Sequence, residues 1–312
     1  MEQIKRLNPY LKERFNKKIY KIALNPLTTC PNRDGTIGTG GCIFCSKGGS
    51  GDFAASGSDI KMQIDEAIER ISSKVPEETG YIAYFQAYTG TYGNPQVLEQ
   101  KYMEAAEDDR IVAVSIATRP DCLDEEILNV LSEIAKKKPL IIELGLQTSK
   151  EESVKYIRRG YDNYVFTEAV DKLRKIGAEV VVHVIIGLPG EDKSDVINTV
   201  EFVNMHDVQG IKLQLLHVLK ETDLETEYVL GKFEVLSLEE YTDILCDAIE
   251  HIRDDIILHR ITGDGPKKIL IAPEWSKDKK RVLNYINKAL SDRNIVQGRR
   301  YENHGNGFVD TV

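Results

Sequence analysis

No apolar run in the 312-residue chain approaches the ~20 residues needed to cross a bilayer. The opening stretch, MEQIKRLNPYLKERFNKKIYK, also lacks the apolar core of a secretory signal. A cytoplasmic location with no membrane partner is therefore expected. Low-complexity tracts, internal repeats and long linkers are missing too. With 41% hydrophobic, 29% charged and 7% aromatic residues, the balance is that of a globular chain and excludes intrinsic disorder. Cysteine is scarce, five in all, yet three of the five fall between positions 30 and 45. An odd, clustered set in a cytosolic chain points to metal or redox chemistry rather than to a disulfide framework. The glycines beside them, Gly38-Thr-Gly-Gly41, lack the G-x-G-x-x-G order of a dinucleotide fingerprint.

The formal net charge of −9 is unevenly spread. Residues 1–21 carry seven Lys/Arg against two Asp/Glu, and residues 266–300 carry ten against three. An acidic body with two basic ends is compatible with polyanion binding through those ends, although charge alone favours a solvated surface.

Short apolar stretches alternate with helix-length amphipathic ones. Strands are expected at Lys21–Leu24, Tyr81–Ala87, Ile111–Ala117, Leu140–Leu146, Glu179–Ile186 and Ile211–His217, with helices near 60–75, 95–107, 124–137, 162–176 and 194–206. Such βα repetition implies a parallel sheet. Polar residues interrupt these strands at Gln86, Glu143, Gln147, His183, Gln214 and His217. Buried polar groups need partners, which favours a ligand-filled barrel interior over a doubly wound sheet. The expected class is α/β, a partial (β/α)6 TIM-like barrel over residues 1–220, with a C-terminal α/β extension over 221–312. That extension should hold a helix at 238–253, a strand at Ile256–Ile261 and a basic helix at 278–290.

The most informative segment follows the first strand: Cys30, eleven residues, Cys42, two residues, Cys45. Three thiolates on a Gly-rich loop can hold three corners of an iron–sulfur cubane, with glycines letting the backbone wrap closely. A structural metal site normally closes with a fourth ligand, and no further Cys or His lies within 75 residues of this loop. A zinc knuckle completed by distant Cys122 or His183 is the competing reading.

This arrangement resembles the radical S-adenosylmethionine (SAM) superfamily. With its eleven-residue first spacing it is similar to the YhcC/YtqA-like family, related to the Elongator catalytic subunit. The resemblance runs along nearly the whole chain through CPNRDGT, GGCIFC, YFQAYTGTYG, ATRPDCL, ELGLQT, IRRGYD, HVIIGLPGE, KLQLLHVLK, HRITGDGP and LIAPEWS.

The resemblance implies that Cys30, Cys42 and Cys45 hold a [4Fe–4S] cluster whose open iron binds SAM. SAM cleavage would give a 5′-deoxyadenosyl radical, with electrons from a donor such as flavodoxin or ferredoxin. Phe44 matches the aromatic position near adenine, and Gly187, opening Gly-Leu-Pro-Gly-Glu, matches the strand-five segment beside it. The family's Gly-Gly-Glu is replaced by Gln86-Ala-Tyr88-Thr89, leaving these residues to meet the methionine ammonium. Glu143 is a candidate for the missing carboxylate, with Gln147 on the same face if the strand stays extended. Arg159 could pair with the methionine carboxylate or serve as a helix C-terminal charge. Arg119, His183 and His217 are pocket candidates, with no catalytic role assigned.

Members of the resembled family imply a tRNA substrate, and conversion of wobble 5-carboxymethylaminomethyluridine to 5-aminomethyluridine. Lys267, Lys268, Lys279, Lys280 and Arg281, with Lys277, Arg293, Arg299 and Arg300, could track phosphates, and Trp275 and Tyr285 could stack on bases. The alternatives are a radical SAM oxidoreductase or decarboxylase acting on a small molecule, and a zinc-stabilised RNA-binding module without catalysis.

Overall fold

A computed structural model describes residues 3–49, 54, 55, 57, 59–263 and 265–302. Six strands lie where the apolar stretches placed them: β1 (Ile19–Leu24), β2 (Gly80–Phe85), β3 (Ile111–Thr118), β4 (Leu140–Gln147), β5 (Glu179–Ile186) and β6 (Gly210–Leu215). They follow a short helix, α1 (Leu7–Phe15), and alternate with α2 (Ile60–Ser72), α3 (Pro95–Glu107), α4 (Glu125–Lys137), α5 (Glu151–Tyr156), α6 (Asn163–Lys175) and α7 (Lys193–Asn204). Beyond them come β7 (Val218–Leu219), α8 (Asp223–Val229), α9 (Leu238–His251), β8 (Ile257–Arg260), β9 (Leu270–Ala272) and α10 (Lys279–Asp292).

Local chemistry starts these helices. Asn94 caps α3 with Pro95 in its first turn, and Asp124 caps α4 ahead of Glu125 and Glu126. Asp192 and Asp195 form a reciprocal capping box on α7. Each cap ends the loop that follows a strand, so the helix is turned back antiparallel to it.

The sheet is parallel in the order β1-β2-β3-β4-β5-β6-β8. Seven strands therefore share it, because β8 pairs with β6 through Gly210↔Ile257 and Ile211↔Leu258. The curled sheet is a partial TIM-like barrel with helices outside, and the two-stranded β7–β9 pair stands apart from it. Leu24, Phe85, Ile116, Ile142, Val182 and Leu213 face the helices in one continuous apolar core.

The inward faces form layers two residues apart, as strand alternation dictates. Nearest the strand N-termini, Ile19, Ile82, Ala113, Ile141 and Val181 cluster with Leu11 of α1. The segment before α1 reaches the far edge of the sheet, where the Leu258 amide donates to Lys5 O at 2.8 Å. Thus α1 plugs one end of the barrel. Two residues further on, Lys21, Tyr84, Ser115, Glu143, His183 and Lys212 form a polar layer above that plug.

Just past β2, Gly90 comes so near β3 that a Cβ there would sit 2.6 Å from Ile116 Cγ2 and 2.9 Å from Ala117 O. The Tyr102 hydroxyl also donates to its carbonyl. Gly90→Ala should cost about 1–3 kcal/mol through overpacking, read as a lower urea midpoint with unchanged slope.

Candidate cofactor cavity

A cavity of about 290 Å³ opens at the strand C-terminal ends, lined in part by Cys30, Cys42 and Cys45. The loop carrying them is closely tied down. Asn32 Nδ2 donates to Arg158 O at 2.6 Å and approaches Cys42 Sγ at 3.6 Å. The Ile43 amide donates to Ile157 O at 3.2 Å, and Ile43 O accepts from the Leu224 amide at 3.1 Å. Gly38 admits the Asn32 side chain, since a Cβ there would lie 2.6 Å from Asn32 Oδ1. Gly41, at φ +72°, lets Arg33 lie across the loop, where its guanidinium donates to Cys45 O at 3.1 Å and Ser46 O at 2.5 Å.

The sulfurs share their protons unequally. Contact with Cys45 is the main cause holding Cys42 down to about 7, helped by Arg119, Asn32 and Arg33 against burial. Cys45 is pushed well above the usual thiol range by that same contact and by burial. Thiolate is the ligating form, and the cations around this loop favour it. Among the described residues, no three or more His, Cys, Asp or Glu side chains converge on one metal ion, as a single closed zinc site would need. His183, proposed to close such a site, is held elsewhere. The three-thiol donor set instead fits a [4Fe–4S] cluster, where each thiolate takes its own iron.

Phe44, Gln86, Tyr88 and Thr89 all line the cavity, as does Gln147. Tyr88 is held at φ +53° with its hydroxyl donating to Lys47 O at 2.8 Å. Gln147 does not continue an extended strand: β4 shifts register between Gly145 and Gln147, and Gln147 takes φ +68°. The irregularity re-aims its side chain, and left-handed non-glycine residues of this kind cluster where function over-determines the backbone. Gly187 is not among the lining residues; its φ of +94° and the Leu236 side chain 3.0 Å from a Cβ position make it a turn.

Two expected SAM contacts are corrected by their partners. Arg159 is 1% exposed and spends all five N–H groups internally. Nη1 donates to Leu146 O and Thr148 O, Nε and Nη2 donate to Tyr161 O, and Nη2 reaches Asn163 Oδ1, at 2.7–3.0 Å. It fastens the β4–α5 connection and has no donor left for a carboxylate. Glu143, also 1% exposed, accepts from Lys21 at 2.7 Å, Ser115 at 3.2 Å and His183 Nε2 at 2.8 Å, and pairs with Lys212. Its oxygens are filled from four other strands, so it does not await an ammonium.

These partners set the charges. Burial opposes ionisation of Glu143, but Lys21 and Lys212 outweigh it and hold the carboxyl well below its usual range. Burial, with Lys212 nearby, pushes His183 down to about 4, so the ring is neutral. Burial likewise brings Lys212 down to about 7 against the pull of Glu143. Lys21, Tyr84, Lys212 and Arg260 were missed as site residues, although a lysine amid the apolar runs Ile19–Leu24 and Gly210–Leu215 was a readable signal.

Of the pocket candidates, Arg119 lines the cavity, paired with Asp121 at 2.7 Å and lying 4.9 Å over the Tyr161 ring. His183 and His217 line it as well, the latter within 3.1 Å of Ser276 Oγ. Among the basic residues, Lys267 and Lys268 are exposed directly after Gly265 and Pro266 of the cavity wall. Lys279, Lys280 and Arg281 form the exposed first turn of α10. Lys277, Arg293, Arg299 and Arg300 pair with Glu274, Asp243, Glu250 and Asp247. Trp275 donates to Leu236 O at 3.0 Å and packs 5.9 Å from Tyr241, so it is no stacking platform. Tyr285 is 39% exposed. Among the described residues, no helix is long and apolar enough to cross a membrane.

A three-cysteine loop at the mouth of a partial parallel barrel defines the class. The chain belongs to the radical SAM superfamily, whose family model matches residues 25–203, followed by a match to the radical SAM C-terminal domain over 208–292. It is an enzyme of that class, and its cofactors are a [4Fe–4S] cluster and SAM. Within the superfamily it falls in the YhcC-like family. It is 44% identical over 297 residues to the uncharacterized protein YtqA of Bacillus subtilis, covering 95% of this chain and 92% of that one. Protein YhcC of Escherichia coli is 33% identical over 286 residues, covering 91% of each. The tRNA uridine(34) acetyltransferase of Methanocaldococcus jannaschii is 27% identical over 175 residues, covering 55% of this chain and 32% of its own length. Archaeal Elp3 from Methanocaldococcus infernus, lacking residues 1–46, shares the fold at a TM-score of 0.68 and 17% identity, over 89% of this chain and 64% of that one.

Glu143→Gln should destabilise the fold by about 3–5 kcal/mol, because it leaves buried Lys212 and half-buried Lys21 without their carboxylate. In the wild type this contribution is present above the ordinary glutamate pKa of about 4.3 and is lost as pH falls below it. In the variant it should be gone at every pH, as urea unfolding across the acid range would show.

Proposed function

We propose that this enzyme modifies tRNA at the wobble uridine, converting 5-carboxymethylaminomethyluridine to 5-aminomethyluridine. Cys30, Cys42 and Cys45 hold the cluster in this reading, and Arg33 and Asn32 fix the loop that presents them. When bound, the cluster and SAM supply the radical chemistry. The chain's own residues shape the cavity, and the α1 plug keeps water from its base.

The observation that carries the substrate class is the place of Lys267 and Lys268, exposed on the segment that continues from the cavity wall. Cations beside a cavity mouth suit a substrate whose backbone is anionic while its reacting base enters the cavity. A second observation agrees. Lys279, Lys280 and Arg281 occupy the first turn of α10, where positive charge opposes the helix dipole. The similarity to a tRNA uridine(34) acetyltransferase supports the same nucleoside position. The electron donor, of flavodoxin or ferredoxin type, and a cytoplasmic location belong to the same proposal.

Nucleoside mass spectrometry of total tRNA from a strain lacking the gene tests the reaction. Accumulated 5-carboxymethylaminomethyluridine with loss of the aminomethyl product is expected; an unchanged profile overturns the substrate. Replacing Lys267 and Lys268 together by Glu should weaken tRNA binding and lower the magnitude of its log–log salt slope by about 2. Cys42→Ala should abolish SAM cleavage and reduce the iron and sulfide taken up on reconstitution.

A further inference from the structure

Two residues above the polar layer, the cavity wall carries Ala117, Gly145 and Ile185 together with two polar side chains, Gln86 and Gln214. Gln86 follows β2, which pairs with the strand leading into the cysteine loop. Gln214 stands one residue before the end of β6, at Leu215. It lies on the other side of the opening, since β1 begins the sheet order and β6 is its sixth strand.

The orientation of the Gln214 amide is fixed from below. The ionised Glu143 carboxylate can only accept, so His183 Nε2, 2.8 Å from its Oε2, donates. With the ring neutral, Nδ1 is then bare and can only accept. Its partner at 3.2 Å is Gln214 Nε2, which therefore donates. Turning the amide over would set Gln214 Oε1 against the imidazole lone pair. The charge on Glu143 thus decides, through one tautomer, which end of a neutral amide faces His183. Gln214 Oε1 takes no hydrogen bond among the described residues, and the side chain is half-buried on the cavity wall. A half-buried acceptor of settled position calls for a donor.

A uracil ring suits that acceptor. The sugar is attached at N1, so N3, C4 and C5 lead when a base swings out of its strand into a cavity. N3 and C5 flank C4 on opposite sides. A C5 substituent directed to the cysteine side therefore turns the N3–H to the β6 side, where Gln214 lies. Cytosine has the same outline but a bare N3, which would meet the Gln214 oxygen lone pair to lone pair.

We infer that Gln214 is the specificity-determining residue of the cavity, its Oε1 accepting the N3–H of the target uridine and rejecting cytidine. This rests on the tRNA reading above and deepens it by naming how the base is chosen. His183 and Glu143 are positioning residues, which act by stopping the amide from turning over. Without them Gln214 would offer its N–H to cytosine as readily as its oxygen to uracil.

The test uses reconstituted holoenzyme and two tRNAs with the same carboxymethylaminomethyl substituent, one on wobble uridine and one on wobble cytidine. Wild type should favour uridine by at least about tenfold in kcat/KM, since the wrong base leaves the acceptor unpaired. That ratio should collapse toward one in Gln214→Met, with SAM affinity unchanged. It should fall likewise in His183→Ala, which keeps Gln214 but releases its amide. Because the ratio is taken within each protein, a general loss of activity leaves it unmoved. A wild-type ratio near one, or a wild-type ratio kept in Gln214→Met, overturns the role of Gln214. Weakened SAM binding with the ratio kept assigns the residue to the cofactor and overturns it too. A ratio kept in His183→Ala overturns the relay. Wild type acting on neither tRNA overturns the tRNA reading instead. Gln214 is then judged by saturation-transfer NMR with uridine and with cytidine on the holoenzyme. Transfer that favours uridine and is lost in Gln214→Met supports it; no transfer, or no preference, overturns it.

Discussion

One buried carboxylate organises the barrel. Glu143 on β4 draws Lys21 from β1, Ser115 from β3, His183 from β5 and Lys212 from β6 onto its two oxygens. Strands this far apart in the sheet order meet at one point only if the sheet curls. A flat sheet would leave those lysines and that glutamate apart and exposed to mutual desolvation without pairing. The network is sealed below by the apolar cluster around Leu11 and opens above into the cavity. The same ions that hold the curl therefore form the floor of the site.

The cofactor end is built differently, from backbone held in uncommon conformations. Leu27, Tyr88, Gln147 and Arg158 all have positive φ, and each lies at or just beyond the C-terminal end of a strand or on the turn packed against the cysteine loop. Such residues store strain that the surrounding bonds must hold. Arg159 carries much of that burden, with five donors spread over the connection that follows β4. A rigid mouth over a charged floor suits a reaction whose intermediates must be kept from water and from the protein itself.

Much of this was legible in the sequence, and the remainder was hidden for identifiable reasons. Short apolar stretches between amphipathic segments announced six strands, and the polar residues within them announced a filled interior. The cysteine spacing announced the cofactor. What a linear reading could not show was which side chains meet. Lys21 and Lys212 lie 122 and 69 residues from Glu143, so its carboxylate looked available when it was already taken. Arg159 was open to two readings because its carbonyl partners carry no sequence signature. The helix α1 went unread because it is short and largely polar; its purpose appears only when Leu11 is seen beneath the barrel. The strand near 257–260 was expected, but nothing in its residues says that it extends the main sheet.

The contact between the first residues and the last strand of the sheet has a consequence for how the chain is made. The Leu258 amide pairs with Lys5 O, so the segment leading into α1 cannot complete its pairing until β8 has been synthesised. Cys45 emerges about 210 residues earlier, which at roughly 5–20 residues per second is on the order of 10–40 s. Throughout that interval the plug lacks its far anchor while the cysteine loop is already outside the ribosome. The order of translation thus leaves the thiols accessible to iron and sulfide delivery before the barrel is closed from the opposite end.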